Sequence, residues 1–132
     1  MNWVCKIELK NSDIGKLQDT LGVIFSNKFK DFLYTANGAS LRYKDFTIKD
    51  KEYVLNAILD FRIDAKYSIM QIYNNISEDV GNFIPFANNG FGDYYVLDLS
   101  NDNVYFYEHE SGDIELLVDI ETFIKLLEEK NG

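Results

Sequence analysis

Few residues of this 132-residue chain are equipped for covalent chemistry. His109 is the single histidine, so any nucleophile that needs an imidazole base must meet it. Cys5, the single cysteine, would make a thiolate beside His109, but no local signature surrounds either residue. Its other reading is a small, semi-buried apolar side chain, and one cysteine excludes an internal disulfide and a multi-cysteine metal site. Ser100 with His109 lacks a nucleophile elbow. Glu108 and Glu110 fall on one side of an extended segment, about 7 Å apart by strand rise, a separation at which carboxylate pairs serve glycosidases. Nothing around them builds a pocket that would raise either pKa. The stretch DLSNDN (98–103) lacks the alternating aspartates, glycine and distal glutamate of a calcium loop. The expectation is a protein that is not an enzyme and holds neither metal nor cofactor.

The stretch most like a site is IPFANNGFGDYYVLDLS, residues 84–100. A dinucleotide fingerprint needs Gly-x-Gly-x-x-Gly opening a helix, so that backbone N–H groups meet the pyrophosphate. Here Gly90-Phe91-Gly92 is followed by Asp93 and a strand pattern, with no third glycine and no lysine. Asn89-Gly90 reads instead as a hairpin turn, because both residues tolerate positive φ.

Function must then come from what the turn displays. Along its strand Tyr95, Leu97 and Leu99 share one face, while Tyr94, Val96 and Asp98 take the other. On the next strand Tyr105 and Tyr107 oppose Val104 and Phe106. The candidate recognition surface comprises Asn88, Asn89, Phe91, Tyr94, Asp98, Tyr105 and Tyr107, rimmed by Asp93, Asp102, Glu108, Glu110 and Asp113. Tyrosine gives rigid amphipathic contact area and the carboxylates give steering. The competing reading is of half-buried strand tyrosines under helices beside a solvated acidic edge.

Several elements must position this surface. An extended start carries Trp3, Val4, Ile7 and Leu9. Ser12 or Asp13 caps a short helix through Ile14, Leu17 and Leu21 that stops at Gly22, and Ser26 or Asn27 starts a second, through Phe29, Phe32, Leu33 and Ala36. Asn37-Gly38 ends it with a left-handed cap. LRYKDFTI and EYVLNAILDF flank KDK as a hairpin, although the second run also suits a buried helix. KYSIMQIYNNI is helical, with Ile69, Met70, Tyr73 and Ile76 on one face. From Phe83 follow four short strands, FIPFA, YYVLDL, VYFYEH and IELLV, and then a helix capped by Asp119 that faces Phe123, Ile124 and Leu127 to the core. With one proline, no linker and no repeat, residues 1–132 read as a single α+β domain: a mainly antiparallel sheet, its C-terminal part a meander, packed with N-terminal, middle and C-terminal helices.

Charge is unevenly placed. The formal net charge is −9. Residues 1–92 hold eleven Lys/Arg and eleven Asp/Glu, whereas residues 93–132 hold two lysines against eleven acids. Such a field repels nucleic acid and anionic lipid and draws in cationic partners, or serves solubility alone. No stretch approaches the roughly 18–20 apolar residues of a membrane span, and MNWVCKIELK has no secretion-signal pattern, so the expected location is cytoplasmic.

The ordered set Leu21-Gly22, Asn37-Gly38, Ile84-Pro85, Gly90-Phe91-Gly92-Asp93, Leu97-Asp98, Val104-Tyr105 and the Phe123-Ile124 helix resembles the SUKH superfamily. Gln18 stands where that family often has a glutamate, and Phe25-Ser26 where it has Leu-Pro. The resemblance implies an α+β fold and non-catalytic binding: bacterial members are mostly immunity proteins that neutralise a cognate toxin, often a nuclease, and fungal relatives are interaction and scaffold proteins of cell-wall signalling. For this chain it implies an immunity protein, monomer or weak homodimer, that binds a basic nuclease toxin, or alternatively a regulatory or scaffold module binding another basic protein.

Overall fold

The computed structural model describes residues 3–65, 68–80 and 83–131. A two-residue strand β1 (Trp3–Val4) leads to helix α1 (Asn11–Leu21) and helix α2 (Asn27–Ala36). Strand β2 (Ser40–Leu41) pairs with β1, and β3 (Asp45–Ile48) with β4 (Lys51–Val54) form a separate hairpin. Strand β5 (Ala57–Ile58) and helix α3 (Ile69–Val80) precede the meander of β6 (Phe83–Asn88), β7 (Tyr94–Asp98), β8 (Asn103–Tyr107) and β9 (Ile114–Asp119), and helix α4 (Ile120–Asn131) closes the chain. The main sheet has the order β5-β6-β7-β8-β9, antiparallel throughout. The fold is α+β, with four helices among the described residues.

The sheet's inner face carries Ile84, Phe86, Tyr95, Leu97 and Val104, all fully buried. Against it pack Phe29 and Phe32 from α2, Phe123 and Leu127 from α4, and Phe46 and Tyr53 from the β3–β4 hairpin. The rings meet mostly edge to face, Phe86 lying 5.8 Å from Phe123 and 5.9 Å from Phe29, the arrangement that suits aromatic quadrupoles. Tyr95 is buried to its hydroxyl, which donates to the Val54 carbonyl at 2.6 Å and so keeps a polar tip satisfied inside the core.

Several local expectations hold. Ser26 caps α2 by accepting from Phe29 N–H, Gly22 ends α1 at φ +68°, and Asp119 accepts from Thr122 N–H and Oγ1 at the head of α4. The KDK run is a hairpin turn with Lys49 and Asp50 at φ +51° and +67°, and the ambiguous second run is strand.

Others need correction. Neither Ser12 nor Asp13 is the N-cap of α1. Lys10 occupies that position, and Asp13, one turn inside, accepts from the Lys10 N–H at 2.8 Å, the reach-back half of a capping box. Asn37 is not left-handed: its φ is −52°, and only Gly38 takes φ +68°. Asn37 is the C-cap of α2, its backbone N–H bonded to the Leu33 carbonyl, and its side chain is also an internal tie, donating to Asp60 Oδ1 at 3.1 Å and accepting from Phe61 N–H at 2.7 Å while fully buried. Cys5 is exposed rather than semi-buried, in a backbone turn at φ +60°. Lys66 and Tyr67 of the helical run lie outside the described residues, as does the side chain of Ile76.

The two places where the chain departs from the SUKH pattern touch each other. Gln18 Oε1 accepts the Phe25 N–H at 2.8 Å. A glutamine amide oxygen does there what a carboxylate would, fixing the turn from α1 into α2.

Candidate functional site

The outer face of the sheet is built by strand alternation. Register places Tyr94 opposite Tyr107, Val96 opposite Tyr105 and Asp98 opposite Asn103 between β7 and β8. Phe83 and Pro85 of β6 stand opposite Asp98 and Val96, and β9 adds Leu116 opposite Tyr105 and Ile114 opposite Tyr107. Side chains on one face of a pleated sheet form rows, so these residues make one surface.

Helix α3 covers part of it. Ile72 packs with Phe83, Tyr94 and Tyr105 over the buried pair Val96 and Tyr107. Tyr107 is only 3% exposed and Tyr94 is half-buried, its hydroxyl pKa pushed up by burial. Tyr105 is half-buried and stacks on Phe83, with ring centroids 4.9 Å apart and planes 18° from parallel. Beyond Tyr105 the cover stops, and Ile114 and Leu116 are exposed at 37% and 48%.

The polar residues of the sequence reading divide between two ends of the meander. Asn88, Asn89, Phe91 and Asp93 form the β6–β7 loop, beside Glu108, Glu110 and Asp113 of the β8–β9 turn. Asp98 and Asp102 belong to the β7–β8 turn at the other end, a strand length away, about 13 Å at 3.3 Å per residue. Each end has its own organisation. Asn89 is buried, accepting from Phe91 N–H and Asp93 N–H through Oδ1 and donating to Asp93 Oδ2 through Nδ2. Asn88 Oδ1 accepts from Gly90 N–H. These bonds fold the loop so that Phe91 stands at its tip, 72% exposed.

Asp93 also accepts from His109, from the ring Nδ1 at 2.7 Å and the backbone N–H at 3.1 Å. Burial raises the Asp93 pKa, but the bonds from His109 and Asn89 outweigh it and hold the carboxyl below its ordinary value. The bond to Asp93 raises the His109 pKa, desolvation opposes it, and the charges of Asp93, Glu110 and Glu108 add to it. Gly92, at φ +96°, sits against this ring: a Cβ there would lie 2.9 Å from His109 Cε1. The glycine is required by backbone conformation and by the close approach of the imidazole. This loop opens strand β7, so the glycines organise a hairpin.

At the other end Asp98 Oδ1 accepts from Ser100 N–H and Oγ, and Asp102, at φ +60°, accepts the Ile120 N–H on its carbonyl. Both aspartates shape the turn. Glu108, Glu110 and Asp113 are exposed, and β8 ends at Tyr107, so the two glutamates lie in a turn and not along a strand. Among the described residues no group of three or more His, Cys, Asp or Glu side chains is placed to share a metal ion.

The sequence reading missed Phe83, Ile114 and Leu116. The signal for the last two was available, since hairpin register and the period of two put them beside Tyr107 and Tyr105. Their exposure was not, because it depends on where α3 stops.

Fold and site together define an α+β protein whose antiparallel meander is buried on one face and half open on the other, with carboxylates at the open end. The family model described as SMI1-KNR4 cell-wall (SUKH_6) matches residues 11–124, and the chain belongs to this SUKH family. That membership is compatible with a protein-interaction module. A search of curated proteins gives no match. Among the described residues no helix is long and apolar enough to cross a membrane.

Proposed function

We propose that this protein is an immunity protein that neutralises a cognate toxin, a basic nuclease, by stoichiometric binding in the cytoplasm without catalysing a reaction. The observation that carries the reading is the pairing of an apolar, half-open sheet face with the acidic third of the chain: the exposed Ile114 and Leu116, which stand opposite Tyr107 and Tyr105, follow directly on the acidic turn of Glu108, Glu110 and Asp113. A phosphate-gripping enzyme is cationic where it holds nucleic acid, and carboxylates can occupy that surface in place of phosphates while apolar side chains exclude water. Charge speeds capture, and packed aromatic anchors lengthen the life of the complex.

The test is titration of the nuclease activity of the captured partner. Residual activity falling linearly to zero at one equivalent supports the proposal, and loss of activity at far less than one equivalent would mean catalytic inactivation. A second reading, an interaction module for another basic protein, is favoured by the cell-wall description of the family. It predicts a retained partner without nuclease activity.

A further inference from the structure

Strand β9 is an edge of the five-stranded sheet, and among the described residues nothing pairs with its outer side. The turn before it fixes which backbone groups face out. Glu108 N–H donates to the Asp113 carbonyl at 2.9 Å, so this single bond, which closes the turn, sets the phase of the ladder at the hydrogen-bonded position. Such positions alternate along an antiparallel ladder. Glu115 therefore turns its N–H and C=O to β8, whereas Ile114 and Leu116 turn theirs to the open edge. These are also the residues whose side chains are exposed on the outer face, in line with Tyr105. An edge with unpaired backbone and exposed apolar side chains is a template for another strand.

The surroundings select its occupant. Beside the start of β9 an open cleft of about 530 Å³ is lined by Lys51, Phe106, Glu108, Asp113, Ile114 and Glu115. Glu115 is engaged by Lys51 at 3.3 Å, while Glu108 and Asp113 face solvent and form no salt bridge among the described residues. Asp119 lies at the far end of the strand. A second copy of this chain would set the same acidic turn and the same Asp119 against themselves, and like charges in register are destabilising.

We infer that β9 is a docking edge which takes an extended segment of a basic partner protein as a sixth strand, with apolar side chains over Ile114 and Leu116 and a lysine or arginine in the acidic cleft. Main-chain bonds would supply affinity and the alternate side chains specificity. This rests on the reading that the partner is a basic protein, and it adds how that partner is held.

The probe is a synthetic peptide of sequence Lys-Val-Arg-Val-Lys-Val, compared with Glu-Val-Glu-Val-Glu-Val, added to the ¹⁵N-labelled full chain. Expected are slowed amide exchange at Ile114 and Leu116 with the basic peptide, weakened by salt, and no effect of the acidic one. The variant Leu116→Pro removes an outward N–H while leaving the β8 ladder bonds in place, and should bind the basic peptide about tenfold more weakly or worse. Leu116→Thr keeps the N–H and serves as the folded control, expected to retain edge protection at reduced affinity. The inference is overturned if the basic peptide perturbs another surface or none, or if Ile114 and Leu116 become protected with rising concentration of the chain alone. The basic-partner reading fails separately: it falls if the wild type retains no basic protein, whereas equal retention of such a protein by wild type and a folded Leu116→Pro overturns only the edge.

Discussion

Tyr105 stacks on Phe83 across the strand that separates them, β7, with their centroids 4.9 Å apart. The stack roofs Val96 and marks the border between the part of the outer face that α3 covers and the part that stays open. A partner settling on Ile114 and Leu116 would meet the edge of this pair. Tyr105→Ala is expected to cost about 1 kcal/mol of folding stability, the scale of an aromatic pair, and to weaken partner binding about tenfold or more. Tyr105→Phe should restore most of both. Thermal melts beside binding titrations separate the two effects.

The Asp93–His109 contact makes stability depend on pH. The His109 pKa is raised in the folded state, so its contribution is fully present below about 6.5, the unfolded value, and is lost as pH rises through the folded value. The Asp93 pKa is lowered, so its contribution is present above about 3.9 and is lost as pH falls through the folded value. Both operate between about pH 4 and 6.5. His109→Gln should therefore destabilise the protein more at pH 5.5 than at pH 8.5, measured by urea unfolding. An equal loss at both values would remove the ion pair from the account.

Asn37 ties the end of α2 to the segment after β5, through Asp60 Oδ1 and Phe61 N–H. Asn37→Ala leaves the buried Phe61 N–H without its acceptor and removes one of several donors to Asp60, which keeps Arg62, and is expected to cost about 1–3 kcal/mol. The denaturant midpoint should fall with the slope unchanged.

The β3–β4 turn holds two non-glycine residues at positive φ, Lys49 and Asp50, both exposed. Replacing them with Asn-Gly relieves that conformation and should raise stability by about 1 kcal/mol. Urea unfolding should show a higher midpoint with the slope unchanged.

How much was legible follows from the range of each signal. Gly22, Ser26 and Asp119 act within a few residues and were readable as helix stops and caps. The opposite faces of Tyr95 and Tyr94 follow from a period of two. Asn37-Gly38 was readable as the end of α2, where Asn37 is the C-cap and Gly38 takes the left-handed turn, but the second role of Asn37 as a buried cross-link was not, because it depends on contact with Asp60, 23 positions away. Tyr107 was read as displayed and is buried, because α3, encoded far upstream, supplies its lid. Asp93 was grouped with the rim carboxylates, and its pairing with His109 depends on two hairpin turns meeting at one end of the sheet.

That pairing also decides the most direct test. Changing Asp93 would disturb the loop itself, so charge is best reversed at Glu108, Glu110 and Asp113, all exposed in the turn before β9. The measurement is affinity capture of a partner by wild type and by the Glu108→Lys, Glu110→Lys, Asp113→Lys variant, at low and at moderate salt. The account predicts that wild type retains a basic protein, more strongly at low salt, and that the variant loses it along with the salt dependence. Equal retention of the same partner by the variant, or no partner retained by wild type, would contradict binding through this acidic, half-open face.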